Sequence, residues 1–166
     1  VPREASSTSV AADHRLDLDA AFGRAAPLIV EIGSGTGESL VAMAAARPSA
    51  NVLAFEVYLP GIARTVSRLH GEQVGNVRLV QADAVAGLTH LLGPGSISEL
   101  WTFFPDPWPK ARHHKRRLVD TAFADLVATG LKSGGSWRLA TDWADYADQI
   151  RAVLDPHPAF ESAAGA

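Results

Sequence analysis

Short apolar segments alternate with amphipathic ones from residue 28 to residue 154, and this alternation constrains the fold more than any other feature. The apolar segments predict strands at 28–32, 51–56, 77–80, 97–104 and 136–140. The segments that follow them predict helices at 38–47, 61–70, 84–92, 115–129 and 143–154. Five strands alternating with helices through short connections predict an α/β fold, a Rossmann-like, doubly wound and mostly parallel sheet.

The same pattern predicts one domain over residues 16–166, after an irregular segment at residues 1–15. A chain of 166 residues can bury a core of its own, and no linker-like stretch interrupts it. Leu16, Leu18 and Phe22 are expected to form a short apolar turn against the sheet. The ends are rich in small residues and the first residue is not Met, so we expect C-terminal strands of the domain to lie outside this sequence.

A glycine-rich loop follows the first predicted strand, at the sheet edge where parallel sheets bind ligands. Gly33, Gly35 and Gly37 give the pattern G-x-G-x-G, whereas a dinucleotide-binding loop has the spacing G-x-G-x-x-G. Glu31 stands just before this loop. A carboxylate there favours a cationic ligand such as S-adenosylmethionine (AdoMet), which carries a sulfonium and an ammonium. A generic glycine turn is the alternative interpretation.

Acids also end the second and third predicted strands. Glu56 is expected to accept hydrogen bonds from ribose hydroxyls, or else to be a solvated charge at a strand end. Asp83 is expected to accept from an adenine amino group, or else to cap the helix that starts at Ala84. Together with Glu31, these acids fit an adenosine-containing ligand better than any one of them does alone.

The sequence FFPDPW, residues 103–108, ends the fourth predicted strand. Pro105 and Pro107 restrict the backbone around Asp106, and Trp108 offers an aromatic face for a base. Enzymes that methylate amino groups of adenine or cytosine carry a second proline between the first proline and the aromatic residue. This chain lacks that second proline, because Trp108 directly follows Pro107. Guanine N7 has a free lone pair, so its methylation does not require a strong general base. A carboxylate could instead hold the guanine N–H donors or offset the charge that develops on the ring. A rigid structural loop is the alternative.

A dense basic cluster follows, with five cations and two histidines: Lys110, Arg112, His113, His114, Lys115, Arg116 and Arg117. The chain has 15 Lys and Arg against 18 Asp and Glu, so the ten cations outside the cluster face 18 acids. A positive patch on a negative body favours a polyanionic partner. A solvated start of the helix at 115–129 is the alternative. Cations at a helix N-terminus oppose the helix dipole, however, and phosphate contacts would favour them.

The last predicted strand brings Asp142 to the same edge, either to bind a substrate base or to cap the final helix. The chain has no Cys and no His spacing typical of metal sites, so neither thiol chemistry nor a metal is expected. No apolar run could cross a bilayer and no signal peptide is evident, so the cytoplasm is the expected compartment.

Five segments occur in the order and spacing of a known family: EIGSGTGESL, AFEV, QADA, FFPDPWPKARHHKRR and ATDW. In these segments the chain closely resembles the bacterial tRNA (guanine-N7)-methyltransferases, over about residues 16–154. The resemblance implies a class I AdoMet-dependent methyltransferase fold, AdoMet as methyl donor and a variable-loop guanosine of tRNA as acceptor.

The resemblance also implies roles for individual residues. The residues expected to bind AdoMet are Glu31, Gly33, Gly35, Glu56, Asp83, Ala84 and Asp106. Asp106 is also the expected catalytic acid, and Lys110 and Asp142 are expected to contact the substrate. The residues expected to contact RNA are Arg112, His113, His114, Lys115, Arg116 and Arg117.

The chain departs from the family pattern in a few places. Pro109 stands where the family usually has a polar residue, and Ala111 where it usually has a basic one. A T-x-F-E-type motif and a basic N-terminal arm of the family are not in this sequence, and a fragment without them is expected to bind AdoMet without efficient methyl transfer. Three other functions stay open: an AdoMet enzyme for another acceptor, a nicotinamide-dependent oxidoreductase, and an inactive RNA-binding module. The glycine spacing of the loop argues against the oxidoreductase.

Overall fold

Five parallel strands form one sheet in the computed structural model of the chain, which describes residues 15–163. The strands are β1 (Leu28–Ile32), β2 (Asn51–Glu56), β3 (Val77–Gln81), β4 (Ile97–Phe103) and β5 (Leu131–Ala140). The α-helices are α1 (Leu18–Phe22), α2 (Glu38–Ala45), α3 (Leu59–Gly71), α4 (Ala84–His90), α5 (Thr121–Gly130) and α6 (Ala144–Leu154). A 3-10 helix spans Ala111–Arg116. Nearly all of the segment predicted as irregular, residues 1–15, lies outside the described residues.

The strand order is β3-β2-β1-β4-β5, which confirms the predicted doubly wound sheet. The chain moves outward from β1 to β2 and β3, then returns to the other side of β1 for β4 and β5. The order therefore reverses between β1 and β4, and ligands of such sheets bind at this reversal, beyond the carboxyl ends of the strands. Glu31 lies at the centre of the sheet, paired with Ala54 of β2 and Trp101 of β4.

The core lies on both faces of the sheet because successive residues of a strand point in opposite directions. Val30 packs on one face with Phe55 and Phe123, and Ile29 packs on the other with Leu40 and Trp101. Every residue of β1 and β2 is buried, as expected for central strands that are covered on both sides. Leu16, Leu18 and Phe22 pack against the first of these clusters, as the sequence predicts.

The helix predicted at residues 115–129 begins later than expected, at Thr121. Asp120 caps it by accepting a hydrogen bond from the Phe123 N–H at 2.8 Å. The basic cluster instead occupies the separate 3-10 helix and the residues beside it. The prediction that these cations stand at an α-helix N-terminus is therefore wrong, and the dipole argument for phosphate contacts falls with it.

Strand β5 begins five residues earlier than predicted and is irregular where it starts. Leu131 pairs with Ile97, whereas Ser136 pairs with Glu99, so residues 132–135 bulge from the ladder. Gly134 has a φ of 72°, a conformation that glycine adopts without steric cost. These glycine and polar residues hid the first part of the strand from sequence reasoning.

The start of α3 packs directly against the glycine-rich loop. A Cβ atom at residue 61 would overlap the carbonyl oxygen of Gly35. Thr65, one turn later, would block a Cβ at Gly37 in the same way. Glycine at position 37 in the loop and at position 61 in α3 therefore allows the loop and the helix to pack this closely.

Two glycines of α3 give a matched test of this packing. Gly61→Ala should lower the free energy of unfolding by about 1–3 kcal/mol, because a backbone oxygen cannot swing away as a side chain can. Gly71→Ala should be neutral or stabilising by up to about 1 kcal/mol, because nothing lies within 4 Å of its Cβ position. Urea unfolding of both variants measures the difference, and equal midpoints would contradict the proposed contact.

Candidate functional site

The glycine-rich loop turns tightly after β1 through three left-handed residues. Gly33, Gly35 and Gly37 have φ values of 76°, 56° and 77°. Residues with a side chain rarely adopt these backbone angles, which is the physical reason for glycine at every second position of the loop. A Cβ at Gly33 or Gly35 would have no atom of the described residues within 4 Å, which leaves room for a ligand on the outer surface of the loop.

Glu31 is a buried carboxylate with an unsatisfied oxygen. Its side chain lies at the end of β1, the residue is 3% exposed, and Oε2 has no hydrogen-bond partner among residues 15–163. Burial, and secondarily the nearby charge of Glu56, raise the pKa of Glu31 to about 7. A buried acid of this kind is costly to ionise unless a cation approaches it.

Glu56, at the end of β2, is also buried but has several partners. Its Oε2 accepts from the Gly35 N–H at 2.7 Å, and its Oε1 accepts from the N–H groups of Val57 and Tyr58 at 2.7 and 2.8 Å. The carboxylate therefore fixes the glycine-rich loop to the end of β2. Its expected contact with ribose hydroxyls stays a prediction, and the alternative of a solvated charge is wrong because the residue is 8% exposed.

Asp83 follows β3 and caps α4. Its Oδ1 accepts from Val85 N–H at 2.9 Å and from Ala86 N–H at 3.3 Å. The capping interpretation is therefore confirmed. The second carboxylate oxygen has no partner among the described residues, so the predicted contact with an adenine amino group is still compatible with this geometry.

The segment after β4 carries two strained aromatic residues. Phe104 and Trp108 have φ values of 50° and 45°, which are uncommon for bulky residues and cost on the order of 1–3 kcal/mol each. They flank the Pro105–Asp106–Pro107 sequence and turn it outward. Such strain persists only where surrounding contacts hold it, and it is concentrated at functional sites.

Three charged residues predicted to act on the substrate are exposed at this edge. The side chains of Asp106, Lys110 and Asp142 make no hydrogen bond or ion pair within the part of the chain that the structure describes. Asp142 does not cap α6, because Trp143 is the N-cap residue and has no side-chain bond. That alternative is therefore wrong, and the carboxylate is available to a ligand.

The exposed cations of the basic cluster are Lys110, Arg112, Lys115 and Arg116. The Arg116 guanidinium lies 4.9 Å from the centre of the Trp108 ring, and His113 meets the same ring edge-on at 5.9 Å. Trp108 is thus partly covered by the cluster, and its role as a stacking face for a base stays a prediction. Phe104 is 65% exposed and presents a free face.

Arg117 is not on this surface. The residue is 4% exposed, and its guanidinium donates to the Pro107 carbonyl and to side chains of α6. The prediction that Arg117 contacts RNA therefore needs correction, because a buried guanidinium whose three nitrogens all bond within the protein is not available to phosphate. His114 is half-buried, with its Nε2 3.6 Å from the Asp145 carboxylate.

Sequence reasoning missed an apolar rim around this edge of the sheet. Exposed apolar side chains lie in the segments after β2, β3, β4 and β5: Val57, Tyr58, Leu59, Val85, Phe104 and Trp143. Large apolar residues placed directly after strand ends were the available signal. Exposed apolar surface concentrated beside a cleft is typical of ligand-binding sites.

The sheet order separates the site into two halves. The acids Glu31, Glu56 and Asp83 lie on β1 and the two strands to one side of it, whereas Asp106 and Asp142 follow the two strands on the other side. Among residues 15–163 no group of acids and histidines is arranged to hold a metal ion. No helix in the same range is long and apolar enough to cross a membrane.

Comparisons with known proteins agree with this geometry. A family model described as "Putative methyltransferase" matches residues 25–165. The tRNA (guanine-N(7)-)-methyltransferase of Cutibacterium acnes is 57% identical over 158 residues, covering 95% of this chain and 57% of that protein. The enzyme of the same name from Nocardioides sp. is 58% identical over 149 residues, covering 90% of this chain and 60% of that protein. The chain thus spans somewhat less than two thirds of these relatives.

Among solved structures, a precorrin-6y C5,15-methyltransferase from Geobacter metallireducens superposes with a TM-score of 0.64. It is 21% identical, and the match covers 80% of this chain and 64% of that one. At this identity the likeness shows a shared fold, which is the methyltransferase form of the doubly wound sheet.

The buried Glu31 predicts a pH dependence of stability. The pKa of Glu31 is about 7 in the folded chain, against 4.5 for an unperturbed glutamate, so the folded state binds the proton more tightly. Stability should be full below pH 4.5 and fall by roughly 3 kcal/mol as pH rises to 7. Glu31→Gln should remove this loss and be more stable than the wild type at pH 8.

Unfolding by urea at several pH values between 5 and 8 measures the effect. Glu72→Gln, which removes an exposed carboxylate at the end of α3, is the matched control. Parallel stability curves for the wild type and Glu31→Gln would show that Glu31 is not held in its protonated form.

Proposed function

This chain belongs to the bacterial tRNA (guanine-N7)-methyltransferase family, and from that membership we propose that it forms the core of an enzyme that methylates N7 of a variable-loop guanosine in tRNA. The proposed methyl donor is AdoMet. The observation that carries this proposal is the unsatisfied carboxylate of Glu31 beside an open glycine-rich loop, next to a strained loop with an exposed acid.

The residues at the ends of β1, β2 and β3 fit AdoMet. Glu31 has a buried oxygen that no described residue bonds to, and the ligand's ammonium group would satisfy it. Gly33 and Gly35 leave room for close approach, and Glu56 lies where an acid would receive ribose hydroxyls. Asp83 and Ala84 would border the adenine. AdoMet would supply a methyl group on a positively charged sulfur, and the chain would supply the negative charge that binds it.

The segments after β4 and β5 would hold the guanosine. Guanine N7 already carries a free lone pair, so the enzyme needs to orient the base and does not need a strong general base. Methylation at N7 leaves positive charge on the ring. The exposed carboxylate of Asp106 would offset that charge, while Asp142 and Lys110 would fix the substrate from the neighbouring strand end and loop.

The aromatic surface for the base is assigned to Phe104. Its ring is 65% exposed at the end of β4, and its left-handed backbone turns it away from the core. Trp108 instead supports Arg116 by a cation–π contact and thereby shapes the basic surface. Bases of the variable loop pair in folded tRNA, so an aromatic platform would help to hold an extruded guanine.

The basic surface would bind the phosphates of the tRNA. Lys110, Arg112, Lys115 and Arg116 are exposed next to the acceptor segment, and outside the basic cluster the chain has ten Lys and Arg against 18 Asp and Glu. Small acceptors do not require such a surface, which favours RNA over a small-molecule substrate.

The direct test of this function is product analysis. The full-length protein is incubated with labelled AdoMet and bulk tRNA, the RNA is digested, and the nucleosides are separated. We expect the label in 7-methylguanosine, and Asp106→Asn should reduce its rate of formation by at least about ten-fold, because charge stabilisation at a reacting group is usually a large term. Label in another nucleoside, or in none, would refute the proposal.

A charge-matched pair of triple variants tests the RNA surface. Replacing Arg112, Lys115 and Arg116 with Ala should weaken tRNA binding and reduce the slope of log affinity against log salt by about 2–3, about one per phosphate contact. AdoMet affinity should hardly change.

The control replaces the exposed residues Arg64, Arg68 and Arg151 with Ala, which removes the same net charge from α3 and α6 and leaves the basic cluster intact. It should leave the salt slope close to that of the wild type. Equal effects of the two triple variants would mean that net charge, and not this surface, attracts the RNA.

A further inference from the structure

Arg117 is a buried cation with a partner for each of its donor groups. Its Nε donates to the Pro107 carbonyl at 2.8 Å, Nη1 to Gln149 Oε1 at 2.8 Å and Nη2 to Asp145 Oδ2 at 2.5 Å. The guanidinium also lies 4.9 Å from the centre of the Tyr146 ring. The 3-10 helix ends at Arg116, and the extended backbone of Arg117 turns the side chain inward.

These partners belong to two separate segments of the proposed acceptor site. Pro107 follows Asp106 in the strained loop after β4, whereas Asp145 and Gln149 lie in α6, which begins two residues after Asp142. One rigid planar group therefore connects the loop that carries Asp106 with the helix that follows Asp142.

The α6 side of this connection is itself well held. Tyr146 is fully buried and its hydroxyl accepts from the Val119 N–H at 3.0 Å, while Gln149 donates to the Val119 carbonyl at 3.1 Å. The Arg117 hydrogen bond keeps the pKa of the Asp145 carboxyl below its usual range, so this partner stays ionised. The helix thus offers a fixed frame against which the loop can be located.

The loop side needs such a frame. Phe104 and Trp108 hold left-handed backbone conformations that neither residue favours. A strained loop keeps one conformation only where outside contacts determine it. Arg116 holds Trp108 from the solvent side, and Arg117 holds the Pro107 carbonyl from the protein side.

We propose that Arg117 is a positioning residue for methyl transfer, which fixes the Pro107 carbonyl and thereby sets Asp106 relative to Asp142. This inference rests on the proposed function and gives Arg117 a role within the same site. It replaces the RNA contact that the sequence suggested, and it assigns to Arg117 no contact with either substrate.

A lysine should not replace this group, even though it keeps the charge. The guanidinium presents its donors in a rigid plane that reaches three acceptors at once, whereas an ammonium is a compact point charge on a flexible stem. Arg117→Lys should therefore leave a cation in place but release the Pro107 carbonyl. Arg151→Lys on the exposed surface of α6 is the matched control.

The measurement is steady-state methylation of tRNA by the full-length protein, together with AdoMet affinity, salt slope and melting temperature. For Arg117→Lys we expect kcat to fall by about ten- to a hundred-fold, as a small displacement of a reacting group can cause. The Kd for AdoMet and the salt slope of tRNA binding should stay close to the wild-type values. Arg151→Lys should behave as the wild type.

Three outcomes would overturn the proposal. A raised KM for tRNA and a salt slope lowered by about one, with kcat unchanged at saturating tRNA, would make Arg117 a phosphate contact. A parallel loss of melting temperature, AdoMet affinity and kcat would make it a general structural residue. Unchanged kinetics would equally refute the role.

A second pair of variants keeps the test available if Arg117→Lys fails to fold. Asp145 and Asp148 are both exposed acids of α6, but only Asp145 bonds to Arg117, whereas Asp148 pairs with Arg151. Asp145→Asn should lower kcat in the same direction as Arg117→Lys but to a smaller extent. Asp148→Asn should have no effect, and equal kinetics for the two variants would count against the positioning role.

A readout without catalysis separates this inference from the function it rests on. If the wild type forms no 7-methylguanosine, the proposed function fails, but loop fixation is still measured by hydrogen exchange in residues 104–110 and tryptic cleavage after Lys110. Both should be faster in Asp145→Asn than in Asp148→Asn if Arg117 fixes the loop. Equal rates would refute the fixation itself.

Discussion

The site depends on an imbalance between two buried carboxylates at the ends of adjacent strands. Glu56 accepts three backbone N–H groups and so holds the glycine-rich loop against β2. Glu31 has one oxygen without a partner among residues 15–163, and its pKa is raised to about 7. The fold satisfies the first acid, and a bound cation would satisfy the second. This difference makes the proposed cofactor half of the site both rigid and receptive to a cation.

The acceptor half uses the opposite arrangement. Its acid, Asp106, is exposed and lacks a partner in the described structure, whereas the group that fixes its loop, Arg117, is buried. An exposed carboxylate ionises at little cost in free energy, but it is difficult to orient because a surface loop has many conformations. A buried guanidinium with three acceptors supplies the orientation that the loop lacks. The two halves thus meet opposite needs, charge stabilisation at Glu31 and placement at Asp106.

The sequence predicts the fold well where burial is uniform. Strands β1 and β2 match their predicted limits because apolar residues fill both faces, whereas β5 was shortened because its first residues bulge from the ladder. The start of α5 was wrong because capping by Asp120 outweighs the apolar periodicity that extends before it. The roles of Asp83 and Phe104 depend on which atoms remain free after folding, which composition and spacing do not reveal.

The largest difference between sequence and structure concerns two neighbouring arginines. In the sequence, Arg116 and Arg117 are equivalent members of a basic run. In the structure the 3-10 helix ends between them, and Arg116, its last residue, faces solvent. The next residue is extended and points inward, where a desolvated charge is stable only with full hydrogen bonding. Counting cations therefore overstates the surface available to RNA, which has four exposed cations instead of five. The fifth charge lies inside the protein, where it joins the loop that carries Asp106 to the helix that follows Asp142.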